Sequence, residues 1–151
     1  MDALAICQGL GLAIAAGLII GAVVPPIMPT WGVVAGAAPL GIIACGAALN
    51  GEDEALWPAL PVGLLGAGLA ATVSRDVAAG AARRQHGSPA DAGVQAPTGV
   101  TAIIIVSAVV VAAVSLLAPP FSLVVLLALA WLSLSRRRRE ERKHEGLRVL
   151  R

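Results

Sequence analysis

The chain has 151 residues, 58% of them hydrophobic and 13% charged, with a formal net charge of +2 and a mean hydropathy of +0.85. Soluble domains carry about 25% charged residues, so this composition offers too little polar surface to clothe an aqueous globule. The two cysteines, Cys7 and Cys45, lie in apolar stretches far from His86 and His144, which speaks against a disulfide framework or a clustered zinc site.

Three stretches carry no Asp, Glu, Lys or Arg: Ala3 to Gly51, Ala55 to Ser74, and Ala92 to Ser135. A helix crosses the hydrocarbon of a bilayer with about 20 residues, so these offer roughly two, one and two crossings. The start, MDALAIC, has no Lys or Arg before its apolar run and so lacks the basic region of a secretory signal peptide. Span one is expected over Ala3–Val24. PPIMPTWG follows as a turn, because Pro25, Pro26 and Pro29 remove backbone donors. Span two is expected over residues 33–49, with Pro39 as a kink. Asn50-Gly51 is a turn signal, and Glu52, Asp53 and Glu54 must sit in water or headgroups. Span three is expected over residues 57–74, with Pro58 and Pro61 suited to its first turn. Residues 75–98 read as a polar loop. Span four, residues 99–117, contains IIIV and VVV, which would suggest strands in water. A transmembrane strand takes about 9–11 residues and alternates polar with apolar, and no alternation is visible, so a helix is expected. Pro119-Pro120 makes the next turn, and span five, residues 121–135, is short unless it continues into the arginines.

The chain ends SLSRRRREERKHEGLRVLR. Cytoplasmic flanks of membrane spans are enriched in Lys and Arg. Arg136, Arg137, Arg138, Arg139, Arg142 and Lys143 therefore put the C-terminus inside, and Arg83 and Arg84 put the 75–98 segment inside as well. Spans four and five join these two segments with an even number of crossings. Counting back puts the acidic loop outside, the Pro25–Trp31 turn inside and the N-terminus outside. The expected fold class is all-α: an integral membrane helical bundle of about five transmembrane helices over residues 1–135, followed by a basic cytoplasmic tail, 136–151. Glu140 and Glu141 lie four residues after Arg136 and Arg137, which suits a helix continuing past the membrane. Gly146 is expected to end it.

RKHEGLRVLR after an arginine-rich span end, with AGVQAPTGV ahead of a long apolar hairpin, resembles the C-terminal half of an uncharacterised family of small multi-span bacterial membrane proteins. The likeness covers mainly Ser74 to Arg151. It implies an integral membrane protein and brings no activity and no catalytic residues with it.

Several patterns are candidates for function. Gly9, Ala13, Gly17 and Gly21 recur every four residues in span one, and Gly32 and Gly36 repeat the spacing in span two. Small residues so spaced form a strip where another helix can approach closely, either within the bundle or between copies of the chain. Cys7 and Cys45 are nearly equidistant from Pro26, so an antiparallel hairpin would bring them to similar depth. GAGLAA, residues 66–71, matches a dinucleotide fingerprint, but it lies inside an apolar span rather than between a strand and a soluble helix. Pro-interrupted hairpins in two halves can mark inverted-repeat transporters; here ordinary turns account for them. No span interior holds an ionisable side chain, where membrane carriers and enzymes usually keep one. The polar residues within or at the ends of the spans are Gln8, Asn50, Thr72, Thr101, Ser107, Ser115 and Ser133, and Gln8 is expected to face a partner helix. The arginine cluster can also contact anionic lipid headgroups. Its interspersed glutamates and lack of aromatics disfavour nucleic acid. These features point to a non-enzymatic, self-associating membrane scaffold or subunit with no cofactor, or else to a small transporter or channel with its pore between protomers.

Overall fold

The computed structural model describes residues 3–25, 28–50, 57–86 and 98–148. They form five α-helices and, among the described residues, no strand: α1 (Ala3–Val23), α2 (Thr30–Asn50), α3 (Ala59–His86), α4 (Thr98–Leu117) and α5 (Phe121–Arg148). Four contain a segment long and apolar enough to cross a membrane, and the apolar part of α5, Phe121–Ser135, is shorter.

Helix α1 is the hub. Leu10, Ile14, Ala15, Leu18 and Ala22 form one core with Ala70 and Ala78 of α3 and Ile104 and Ala108 of α4. Its other faces pack on α2 and α3 through Ala5, Cys45, Leu49 and Ala59 at one end. At the other end, Ile20 and Val24 lie against Val33, Ala37, Ala67 and Ala71. The core side chains are mostly Ala and Gly, so the helix axes can come close enough for backbone to touch backbone. Such packing relies on dispersion contacts between well-fitted surfaces more than on large buried side chains.

The helix ends differ from the sequence expectations in identifiable ways. Helix α2 begins at Thr30 rather than Val33, because the Pro29 carbonyl accepts from the amides of Gly32 and Val33, at 2.9 and 3.3 Å. Pro39 lies on an exposed face, and the helix runs continuously through it. Helix α3 begins at Ala59 after a turn at Trp57-Pro58, and it does not stop at Ser74. Residues 75–86, expected in the polar loop, form its last three turns or so. The stretch is rich in alanine, and extending an existing helix avoids the nucleation penalty that a separate one would face. Helix α5 likewise continues beyond Ser135, through Gly146 to Arg148, so the first part of the basic tail is a direct extension of the fifth span. The acidic loop at Glu52–Glu54 and residues 87–97 of the polar loop lie outside the described residues.

Candidate functional site

The closest helix contacts lie along α1. An added side chain at Gly9 would stand 2.7 Å from the Cys45 sulfur and 3.2 Å from its Cα. One at Gly17 would meet the Ala67 carbonyl and Cα, the latter at 2.7 Å, and one at Gly21 would meet Ser74 and the Ala71 carbonyl. Ala13, between them, is fully buried. Gly9 therefore faces α2 while Gly17 and Gly21 face α3, so the strip winds between two neighbours in the same chain. A separate pair joins α2 to α3. At Gly63 a Cβ would lie 2.7 Å from the Gly41 carbonyl oxygen and from Ile42 Cα; at Gly41 it would lie 2.6 Å from the Gly63 oxygen.

Gly32 and Gly36 lie off these contacts. A Cβ at Gly32 would approach nothing closer than Met28 and Pro29, at 3.8 Å, and one at Gly36 would meet nothing within 4 Å. The face of α2 that packs is one residue further on: Val33, Ala37, Gly41, Cys45 and Leu49. Because glycine and alanine are frequent throughout α2, spacing alone does not select the face. The large residues Val33 and Leu49, in register with Gly41, carry the discriminating signal.

The GAGLAA stretch is part of the same packing. Gly66 faces Leu10 and Ile14, Gly68 faces Val34, and Ala67, Ala70 and Ala71 are fully buried. No room is left for a phosphate at these backbone amides. Cys45 is buried against Gly9, whereas Cys7 is half-exposed; both are free thiols. Cys7 lies two residues from Gly9, about 200° around the helix, so it points away from α2 and from Cys45.

The serine hydroxyls of the spans and that of Thr72 bond within their own helices. Ser74 donates to Ala71, Ser107 to Ile104, Ser115 to Ala112 and Ser133 to Ala130, each to the carbonyl three residues back. Thr72 does the same with Leu69. Ser122 of α5, which donates to Pro119, lies with Ser115 of α4 beside Gly11.

Arg75 is a feature the sequence reading missed. It is the first charged residue after the uncharged run of α3, half-buried, and its guanidinium donates to the Met28 carbonyl in the α1–α2 turn. Nearby, Asp76, Val77, Gly80, Ala81 and Arg84 of α3 and Val100 of α4 line an open cleft of about 380 Å³. Arg84 and Arg138 are exposed. For Arg136, Arg137, Arg139, Arg142 and Lys143 the backbone is helical, and their side chains lie outside what is described. Among the described residues no group of three or more His, Cys, Asp or Glu could hold a metal ion.

The outer surface is apolar. Ile103, Val106 and Val109 of α4, and Val124, Leu127 and Trp131 of α5, are all more than half exposed. All three tryptophans are exposed as well. Trp31 begins α2 beside the α1–α2 turn, Trp131 lies just before the arginines of α5, and Trp57 lies at the opposite end, before α3. No family model matches the chain, and no curated protein or solved structure is detectably similar to it.

Proposed function

We propose that this chain is a multi-span protein of the bacterial inner membrane, with its N-terminus outside and its basic tail in the cytoplasm. We further propose that it acts as a non-enzymatic scaffold or small subunit. The broad apolar surface of α4 and α5 supports the membrane part of this reading, because monomeric soluble proteins rarely expose contiguous apolar patches beyond a few hundred Å². Indoles at both ends of the bundle suit the two membrane interfaces. The topology is supported by charge: Arg75, Arg84 and Arg138 all follow apolar runs toward the end of the bundle that holds the α1–α2 turn.

The observation that carries the scaffold reading is the close apolar packing of the interior. The first three helices are locked together through Gly9, Gly17, Gly21, Gly41 and Gly63, with aliphatic side chains filling the remaining space. A pathway for a polar solute would need a polar lining, and the serine hydroxyls instead serve their own helices. The outer faces of α4 and α5 are then the surfaces available to a second copy or to a membrane partner, and the arginines to anionic headgroups. The competing reading, a pore between protomers, is tested by solute flux from proteoliposomes containing the purified protein. Flux of any ion or small solute above that of empty vesicles would overturn the scaffold reading, and its absence across a broad panel would support it.

A further inference from the structure

The hairpin of α4 and α5 is displaced along the bundle. The contacts that show it are at Gly11, where an added Cβ would run into Ser115 of α4 and stand 3.5 Å from Ser122 of α5. Ser115 and Ser122 flank the turn at Ala118, Pro119 and Pro120. Gly11 is eight residues into α1 from Ala3, or about 12 Å along the axis at about 1.5 Å per residue. The turn extends only about 4 Å beyond Ser115, so it ends about 8 Å short of the start of α1. Helix α2, by contrast, reaches that end: Cys45 is level with Gly9, and Leu49 packs beside Ala5.

The burial pattern of α1 gives an independent sign of the same gap. Residues seven apart share a face of a helix. Leu4, Gly11 and Leu18 make one such row, and Leu4 is 60% exposed while Leu18 is 9% exposed and Gly11 is buried. Gln8 is half-exposed while Ala15 and Ala22 are buried, and Cys7 is half-exposed while Ile14 and Gly21 are buried. The face that α3, α4 and α5 cover from Gly11 onward is exposed at Leu4 and only half-buried at Cys7 and Gln8. Among the described residues none shares a hydrogen bond with the Gln8 carboxamide.

The tip of the hairpin also needs hydrogen-bond donors. A helical carbonyl accepts from the amide four residues on. For Ser115 and Leu116 those residues are Pro119 and Pro120, which have no N–H. For Leu117 it is Phe121, whose N–H goes to the Ala118 carbonyl at 3.0 Å. Ser115 is buried, but Leu116 and Leu117 are exposed; hydrocarbon cannot supply what their carbonyls lack, and water can.

We propose that the α4–α5 hairpin stops inside the outer leaflet and leaves a hydrated notch, floored by Ala118–Pro120 and walled by Leu4, Cys7 and Gln8, into which water and lipid headgroups descend. The claim rests on the membrane reading above. It explains why the apolar part of α5, Phe121–Ser135, is shorter than the other spans. It leaves the topology unchanged, because both ends of the hairpin stay on the cytoplasmic side.

The test uses the full chain with Cys7→Ala and Cys45→Ala, in vesicles of phosphatidylcholine with phosphatidylglycerol. A nitroxide is attached to Ala118→Cys, Asn50→Cys or Ala47→Cys in turn. Asn50 ends α2, and Ala47 is exposed on α2 near the level of Cys7, so it is no deeper than the turn. Leu117→Cys, also exposed, gives a second reading should Ala118→Cys disturb the turn. The label at 118 is expected about 6 Å deeper than the label at 50. It should nevertheless collide with a water-soluble nickel chelate several-fold more often than the label at 47. Equal depth at 118 and 50 would overturn the short hairpin, and a label at 118 as shielded as that at 47 would overturn the hydration. Protein that fails to float with the vesicles would overturn the membrane reading itself, which sets that failure apart from the other two.

Discussion

The guanidinium of Arg75 donates to the backbone carbonyl of Met28, tying the third helix to the turn between the first two. Ser74, immediately before it, is buried against Gly21. The end of the uncharged run in α3 is thereby fastened to the end of α1, and the two helices run in the same direction with their polar boundaries level. A charged donor to a turn carbonyl is a stronger tie than a neutral one.

Replacing Arg75 by Met should loosen this corner. A hydrogen bond involving a charged group contributes roughly 1.5–3 kcal/mol, and the partial exposure of Arg75 puts the expected loss toward the lower figure. Arg75→Lys should retain part of it, because a lysine offers a point charge without the planar fork. Reversible unfolding in mixed micelles, followed by circular dichroism, measures both variants. Equal stability of Arg75→Met and the parent would refute the tie.

Gly17→Ala should destabilise the bundle by about 1–3 kcal/mol, since the new methyl group meets the Ala67 backbone and forces α1 and α3 apart. Gly36→Ala should do the opposite or nothing. It points into open space, and alanine favours a helix by about 1 kcal/mol over glycine. The same unfolding assay compares them, and the sign of the difference is the decisive reading.

The two thiols should differ in reactivity. Cys7 is half-exposed and should be alkylated by a membrane-permeant maleimide in the folded protein. Cys45, buried against Gly9, should react only after unfolding in dodecyl sulfate. Oxidation with copper phenanthroline should give no Cys7–Cys45 link, because the two point in different directions. A linked species on a non-reducing gel would show that the α1–α2 register is wrong.

Changing Arg136, Arg137, Arg138 and Arg139 together to Gln should weaken the retention of the C-terminus in the cytoplasm. Reporter fusions after Arg151 are expected to shift from uniformly cytoplasmic to mixed, while fusions after His86 hold because Arg75, Arg83 and Arg84 remain. An unchanged pattern at both positions would mean that the tail has no part in orientation.

Much of the helical layout was legible. The three charge-free stretches contain the apolar portions of α1 to α5, and the proline pairs stand at two of the turns. Gly9, Ala13, Gly17 and Gly21 are all buried, but a four-residue repeat drifts about 40° per step, so Gly9 faces α2 while Gly17 and Gly21 face α3. What misled was polarity. Residues 75–86 are charged and small, and read as loop, yet their alanines suffice to prolong a helix already formed. The choice between faces of α2 was equally hidden, since Gly32 and Gly36 have the same spacing as Ala37 and Gly41.

The sequence by itself determined that the chain is helical, that at least four of its segments are long and apolar enough to cross a membrane, and that positive charge gathers at one end. These follow from residue type and run length, which need no knowledge of neighbours. Only the tertiary structure decided which faces meet, that Gly9 opposes Cys45, and that the last hairpin sits about 8 Å out of step with the first. The reason is that register between helices depends on where two backbones can approach. That is a property of pairs such as Gly17 with Ala67 and Gly11 with Ser115, far apart in the chain and unmarked in either segment alone.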